Sequence, residues 1–171
     1  MSLGSWLRDR PHWLERAFQG AHQSILWMKP LFVKIGYRRS ERWLHPFEAA
    51  SKGLIFDCRM CGQCILHSTG MTCPMTCPKK LRNGPCGGVR ANGHCEVDPE
   101  MKCVWVEATQ RASRMPVYGD EIMLIQPPVN RLLKGSSAWI NMMNGKDAEL
   151  PPAWNSGRSA ANTGFEQAAE S

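Results

Sequence analysis

Cysteine is concentrated in one stretch of this chain. All eight cysteines lie between residues 58 and 103, and the stretch opens with Cys58, Cys61 and Cys64 at intervals of three. Thiolates at that spacing can converge on one face of a metal cluster, as they do in bacterial ferredoxins. The first residues mix apolar and charged side chains, so we expect no secretory signal and a cytoplasmic location. In that reducing compartment, dense cysteines indicate bound metal more often than disulfides.

The cysteine count matches two four-thiolate sites. We predict a first site of Cys58, Cys61, Cys64 and one remote cysteine, and a second site that uses the other four. Cys73 and Cys77 are each followed by proline, as is the remote ligand of a ferredoxin cluster. The prediction is therefore two [4Fe–4S] clusters, with the ligands Cys58, Cys61, Cys64, Cys73, Cys77, Cys86, Cys95 and Cys103.

Zinc is the main alternative for the same stretch. Four thiolates, or the first three cysteines with His67, would form a closed tetrahedral structural centre without redox activity. His94, beside Cys95, is a second histidine near the thiols. Disulfides are a third alternative. A c-type haem is not expected, because Ile65 stands where the Cys-x-x-Cys-His motif requires histidine.

The residues around the cysteines predict loops rather than long regular elements. Residues 53–115 lack an apolar period and are rich in glycine, proline and Asn-Gly turns. They contain few large apolar residues, so metal would have to supply the missing stability. The segment from Val104 to Ser113 predicts a short closing helix. The predicted fold class is thus a small metal-stabilised, loop-rich cysteine module with short helices or strands.

An α-helical N-terminal extension is predicted to precede this module. Apolar residues recur at steps of three and four from Trp13 to Met28, which is the helical period. Pro30 ends or kinks that helix, and a second, less regular helical segment surrounds Trp43. Residues 1–52 would therefore pack an apolar face on the cysteine module or dock it on a partner subunit.

The remaining residues suggest neither a membrane span nor a complete enzyme. Residues 116–144 are predicted to form a C-terminal arm and residues 145–171 a disordered tail, since the tail has no pattern that could bury a face. No segment approaches the roughly 20 apolar residues of a membrane helix. The net charge of +6 is scattered, so we expect no nucleic-acid binding. Catalytic motifs are missing, and Asp120 and Glu121 are expected to form a solvated turn.

The cysteine segment resembles a known family. The similar stretches run from Phe56 to Cys64, from Gly70 to Lys79, from Leu81 to Gly88 and from Cys95 to Val97, and they include glycines, prolines and Asn83 as well as cysteines. They resemble the C-terminal domain of methylenetetrahydrofolate reductase, which also occurs alone as a small subunit. A looser similarity covers residues 127–145.

The resemblance implies a partner that this chain lacks. In that family the module accompanies a flavin-bearing barrel that reduces 5,10-methylenetetrahydrofolate to 5-methyltetrahydrofolate, and FAD and folate would lie only on that partner. The cysteines would hold iron–sulfur clusters that pass single electrons to or from the flavin, with a one-electron donor such as a ferredoxin. The alternative is a zinc module that stabilises or regulates the reductase. The direction of the folate reaction stays open.

Overall fold

Helices flank the cysteine loop on both sides in the computed structural model, which describes residues 3–149 and 151. Six α-helices lie within this described part. They are α1 Leu3–Arg8, α2 Pro11–Trp27, α3 Lys29–Ile35, α4 Tyr37–Phe56, α5 Val104–Ala112 and α6 Ala138–Asn144. Short 3₁₀ turns occupy His67–Thr69, Pro74–Thr76, Gly119–Met123, Arg131–Leu133 and Lys146–Ala148.

The N-terminal extension is helical, as its apolar period predicts. Helix α2 covers the predicted segment, and Pro30 lies in the first turn of α3, where its missing N–H leaves no bond unmade. Helix α4 follows Gly36, which has a φ of 91°, and ends at Asp57 in the left-handed region. The helix extends past residue 52, the predicted end of the extension, and leads directly into Cys58.

Helix α2 packs on the cysteine module. Leu14 joins Leu66, Met71, Cys73 and Met115 in one buried apolar cluster. The apolar face of α2 is therefore covered at least in part by the module itself. Three tryptophans of the N-terminal helices stay outside this contact, since Trp13, Trp27 and Trp43 are 67%, 81% and 81% exposed.

The C-terminal arm folds back onto the N-terminal helices. Ile25 of α2 forms a second buried cluster with Ile140 and Met143 of α6. The Ser137 hydroxyl accepts a hydrogen bond from the Ile140 N–H and so caps α6. The end of the arm, α6, is thus packed against the N-terminal helices, whereas Met123 and Ile125 earlier in the arm are 82% and 91% exposed.

Regular β structure is sparse in the cysteine segment. Within the described residues it consists of two isolated antiparallel bridges, Val89 with Cys95 and His94 with Lys102. Helix α5 follows Cys103 and confirms the predicted closing helix. The predicted disordered tail lies mostly outside the described residues, although Lys146–Ala148 within it form a 3₁₀ turn. In the described part of the chain, no helix has the length and apolar character needed to cross a membrane.

Candidate metal centre

Four cysteines line one cavity. Cys58, Cys61 and Cys64 reach it from the loop after α4, and Cys73 reaches it from the start of the 3₁₀ turn Pro74–Thr76. The structure thereby brings one of the five later cysteines, Cys73, to the same cavity as the first three. The sequence predicted that Cys58, Cys61 and Cys64 act together, but it did not indicate which of the five later cysteines would join them.

Left-handed backbone turns bring these thiols together. Asp57, Met60 and Gly62 all have positive φ, at 52°, 46° and 78°. Three such turns within six residues fold the chain back repeatedly, so that cysteines three positions apart line the same cavity. Only glycine fits at position 62, because an added Cβ would lie 2.2 Å from the Leu133 carbonyl oxygen.

Gln63 fastens the loop to the C-terminal arm. Its side chain is 2% exposed, and its amide nitrogen donates to the Asp147 carbonyl at 2.8 Å. Its amide oxygen accepts from the Asn130 N–H at 2.7 Å. A buried amide that satisfies both of its ends in this way holds the two segments in one relative position.

Two further hydrogen bonds connect the same segments. The Gly135 N–H donates to the Met60 carbonyl at 2.8 Å. Asn141 of α6 donates from its side-chain amide to the Gly62 carbonyl at 2.9 Å. The carbonyls of the cysteine loop are therefore bonded by protein groups outside the loop, and this fixes the loop without any bound ligand.

Two buried cations face the thiols. Lys52 lines the cavity and pairs with Glu48 at 2.5 Å, and the Ser137 hydroxyl donates to the other oxygen of that carboxylate. Burial lowers the pKa of Lys52, but the negative charges of Cys64 and Glu48 outweigh it and raise the pKa above its ordinary value. Arg82 also lines the cavity, and burial lowers its pKa while the Cys61 and Cys64 charges oppose that effect. Positive charge therefore borders the thiols on two sides.

The thiols differ in their readiness to ionise. A hydrogen bond from Cys73 lowers the pKa of Cys58 to about 6, aided by the Met60 N–H and the Lys52 charge and opposed by burial. The same hydrogen bond, with burial, raises the pKa of Cys73. Burial raises the pKa of Cys61. Of these three thiols, Cys58 therefore ionises most readily.

Four thiols at one cavity are the soft donors that zinc and iron–sulfur clusters both use, but these side chains do not converge on one point. A zinc ion requires all four sulfurs at about 2.3 Å from one centre. No three His, Cys, Asp or Glu side chains in residues 3–149 and 151 are grouped to hold a single ion. The cavity encloses about 20 Å³, so thiol side chains must turn outward to admit a cluster. Because the four side chains share one cavity and thiols turn readily about χ1, a cluster there would require rotation of side chains rather than a new path of the backbone.

The other four cysteines differ widely in burial. Cys95, which is bridged to Val89, and Cys103 are buried, whereas Cys86 is exposed. The Cys86 sulfur contacts the Glu96 carboxylate at 3.7 Å and accepts from the Gly88 N–H at 3.4 Å. Cys77 lines a separate cavity near Cys61. Their grouping into a second site stays a prediction.

The two histidines near the cysteines, His67 and His94, form hydrogen bonds outside the four-cysteine cavity. His67 shares a 2.6 Å hydrogen bond with the Glu121 carboxylate, which lies in the partly exposed 3₁₀ turn Gly119–Met123. His67 does not line the four-cysteine cavity. His94 bonds the Pro99 carbonyl at 2.7 Å. This placement does not favour a zinc site made of the first three cysteines with His67.

Several residues that shape the cavity were missed from the sequence. They are Glu48, Lys52, Gln63, Arg82, Asn130, Ser137 and Asn141. One signal was available, because serine directly before the apolar run that starts at Ala138 is typical of a helix cap. The others carry no local pattern, since their partners lie far away along the chain.

Comparison with known proteins agrees with the cysteine pattern. The family described as "Methylene-tetrahydrofolate reductase C terminal" matches residues 37–131, which is more than half of the chain. This range contains all eight cysteines and both cations of the cavity. Neither a curated protein nor a solved structure matches the chain. The chain belongs to the methylene-tetrahydrofolate reductase C-terminal family.

Proposed function

We propose that this chain is an iron–sulfur electron-transfer subunit of a methylenetetrahydrofolate reductase. It would pass single electrons between a one-electron carrier of the ferredoxin class and a flavin-containing partner acting on 5,10-methylene- and 5-methyltetrahydrofolate. Family membership supports the association with a reductase. The observation that carries the redox role is the shared cavity of Cys58, Cys61, Cys64 and Cys73.

The arrangement of these four cysteines supports a cluster over a single ion. Three come from one loop at intervals of three and the fourth comes from a separate turn, which is the ferredoxin pattern. Structural zinc sites commonly take ligands in closely spaced pairs from two segments. A [4Fe–4S] cluster supplies reversible one-electron chemistry when bound, which a flavin can accept. The second cluster would use Cys77, Cys86, Cys95 and Cys103.

The protein groups around the cavity have definite tasks in this proposal. Lys52 and Arg82 offset the negative charge of four thiolates, which would otherwise repel one another in a buried site. The Met60 N–H, which lies 3.4 Å from the Cys58 sulfur, bonds the thiolate directly. The Gln63 and Asn141 bonds keep the loop closed, and the buried apolar cluster around Met71 excludes water from the Cys73 side.

A zinc-binding structural module is the second candidate function. The small cavity volume favours it, since about 20 Å³ is room for one ion or water. In that case the metal would hold the loops and the chain would stabilise or regulate the reductase without carrying electrons. The two candidates differ in metal content and in colour.

The decisive experiment is metal analysis of the full chain purified without oxygen. The proposal expects about four to eight iron and equal acid-labile sulfide per chain, with visible absorption that bleaches on reduction. One or two zinc ions without sulfide would establish the structural candidate instead. Replacing Cys61→Ser should remove about four iron, while the control His67→Gln, which changes no thiol, should keep the wild-type content.

A further inference from the structure

A second cavity, of about 350 Å³, adjoins the metal centre. Cys61 and Met75 line both this cavity and the one that the four cysteines share. Cys77, which we assign to the second site, also lines it. The cavity therefore borders one thiol from each of the two proposed metal sites.

Four cationic side chains line this cavity, and they come from two separate segments. Arg59 and Lys80 belong to the cysteine segment, whereas Arg131 and Lys134 belong to the C-terminal arm. Among the described residues, 3–149 and 151, no aspartate or glutamate lines the same space. We name the cavity with its four cations the basic cavity.

The charges of three of these cations are not offset by a neighbouring carboxylate. Arg59 pairs with Asp57 at 2.8 Å, and we therefore count its charge as partly neutralised. In the part of the chain that the structure describes, Lys80, Arg131 and Lys134 form no ion pair. All three are exposed. Their charges are thus available to an anionic group from outside the chain.

The thiols of the metal centre do not account for these exposed cations. Lys52 and Arg82 are buried and already border the thiols from within the protein. Buried charges interact strongly, whereas solvent and salt screen exposed ones. Lys80, Arg131 and Lys134 therefore act mainly on the field outside the protein, which steers charged partners toward a surface.

An exposed apolar side chain among the cations favours a protein partner over a small anion. Leu132 is 79% exposed and stands between Arg131 and Lys134 in the sequence. Small-molecule sites bury most of the ligand surface, but all four cations of the basic cavity are exposed. Protein interfaces instead combine apolar contacts and arginine with a solvent-accessible polar rim.

We propose that the basic cavity and Leu132 form the docking surface for an acidic electron-carrier protein, whose carboxylates pair with Lys80, Arg131 and Lys134. This inference rests on the proposed function and adds to it the place where the carrier binds. One electron passes between the carrier and the centre behind Cys61 or Cys77, while no bond forms or breaks and no proton moves. Complementary charge of this kind speeds association and makes it depend on salt.

Titration of the full chain with an acidic bacterial ferredoxin tests the surface. Calorimetry without oxygen should show saturable binding that weakens about tenfold or more between about 20 and 200 mM NaCl. Arg131→Glu with Lys134→Glu should weaken binding by about tenfold or more at low salt. The matched control, Arg38→Glu with Arg39→Glu, makes the same change in net charge at exposed positions of α4 outside the basic cavity and should bind as wild type does.

A second variant, Leu132→Ser, tests the apolar contact by itself. We expect it to weaken ferredoxin binding by about threefold or more, because an apolar contact is lost at the interface. The salt dependence should stay as in the wild type, since no charge is changed. Unaltered binding by Leu132→Ser would contradict the inclusion of this residue in the docking surface.

Four other outcomes would overturn the inference. Absence of saturable binding, or equal losses from the α4 control and the Arg131 and Lys134 variant, would rule out a specific surface for the carrier. Displacement of the ferredoxin by an equal concentration of inorganic triphosphate would identify a small-anion site. Tighter binding of duplex DNA than of the ferredoxin would identify a nucleic-acid surface.

The proposed function is judged separately by metal content. Iron and sulfide in a chain that does not bind the ferredoxin would refute only the docking surface. Salt-dependent binding of the ferredoxin by a chain that holds zinc alone would refute the electron-transfer role and leave the surface in place.

Discussion

The two halves of the cysteine segment are built in different ways. Residues 58–73 are held by buried hydrogen bonds from distant parts of the chain, as the Gln63 and Asn141 contacts show. Residues 77–103 are held by short-range bridges and by an exposed pairing of Lys79 with Glu96. The first half is preorganised by the protein, whereas the second depends more on local turns.

Glycines show the same contrast. Gly62 in the first half and Gly87 in the second share a φ of 78°. A side chain at Gly62 would collide with the Leu133 backbone, while a side chain at Gly87 would meet nothing within 4 Å. The first half is thus tightly packed around its thiols. The second half has free space at Gly87, although a side chain at Gly88 would meet the end of the Glu96 side chain.

Metal removal should produce the largest difference between the two halves, measured as the protection of backbone amides from hydrogen exchange. After anaerobic oxidation and chelation, we expect amide hydrogens of residues 86–103 to lose protection while those of residues 63–73 largely keep it. The reason is that bound metal contributes most where the protein supplies few bonds of its own. Hydrogen exchange followed by mass spectrometry should show a difference of about a hundredfold in protection between the halves.

The metal-loaded protein is the reference for this comparison. Both halves should be protected in it to a similar degree. If chelation releases residues 63–73 as readily as residues 86–103, the first half is not preorganised, and the distant hydrogen bonds do not hold the loop on their own.

Breaking the buried ion pair should be the next largest effect. Lys52→Met leaves the Glu48 carboxylate buried without its cation, and removing one partner of a buried pair costs about 3–5 kcal/mol. The free energy of unfolding, measured by urea titration of the metal-free chain, should fall by that amount. The double variant Glu48→Gln with Lys52→Met should recover much of the loss, because no unpaired charge stays buried.

The second half offers a matched control. Lys79→Met removes the cation of an exposed pair and should leave the unfolding transition unchanged. Equal destabilisation by Lys52→Met and Lys79→Met would contradict the contrast between the two halves.

Sequence patterns predicted the parts of this fold that local chemistry controls. The apolar period gave α2, the loss of that period gave the loop-rich segment, and the spacing of the first three cysteines gave three of the four thiols at the shared cavity. Each of these features involves neighbours within a few positions. Such short-range features can be predicted directly from the helical period and from the turn residues.

Long-range partners were not predictable in the same way. Cys73 joins the cavity because Gly70 lets the chain pack against α5, where an added Cβ would lie 2.2 Å from the Ala108 carbonyl oxygen. Gln63 meets Asp147 across 84 positions of sequence. Polar residues at such distances have no periodic signal, and their pairing depends on how helices pack around the loop.

The two glycines provide the finest test of the contrast. Gly62→Ala and Gly87→Ala both place an alanine in the left-handed region, at a shared cost of about 1–2 kcal/mol. Only Gly62→Ala adds a collision with the Leu133 backbone. This collision should cost a further amount of about 1–3 kcal/mol, which is typical of overpacked sites. Urea unfolding of the two metal-free variants should therefore differ by that second amount. Since the backbone strain is common to both, equal stabilities would mean that Leu133 moves aside freely, and the first half would then be no tighter than the second.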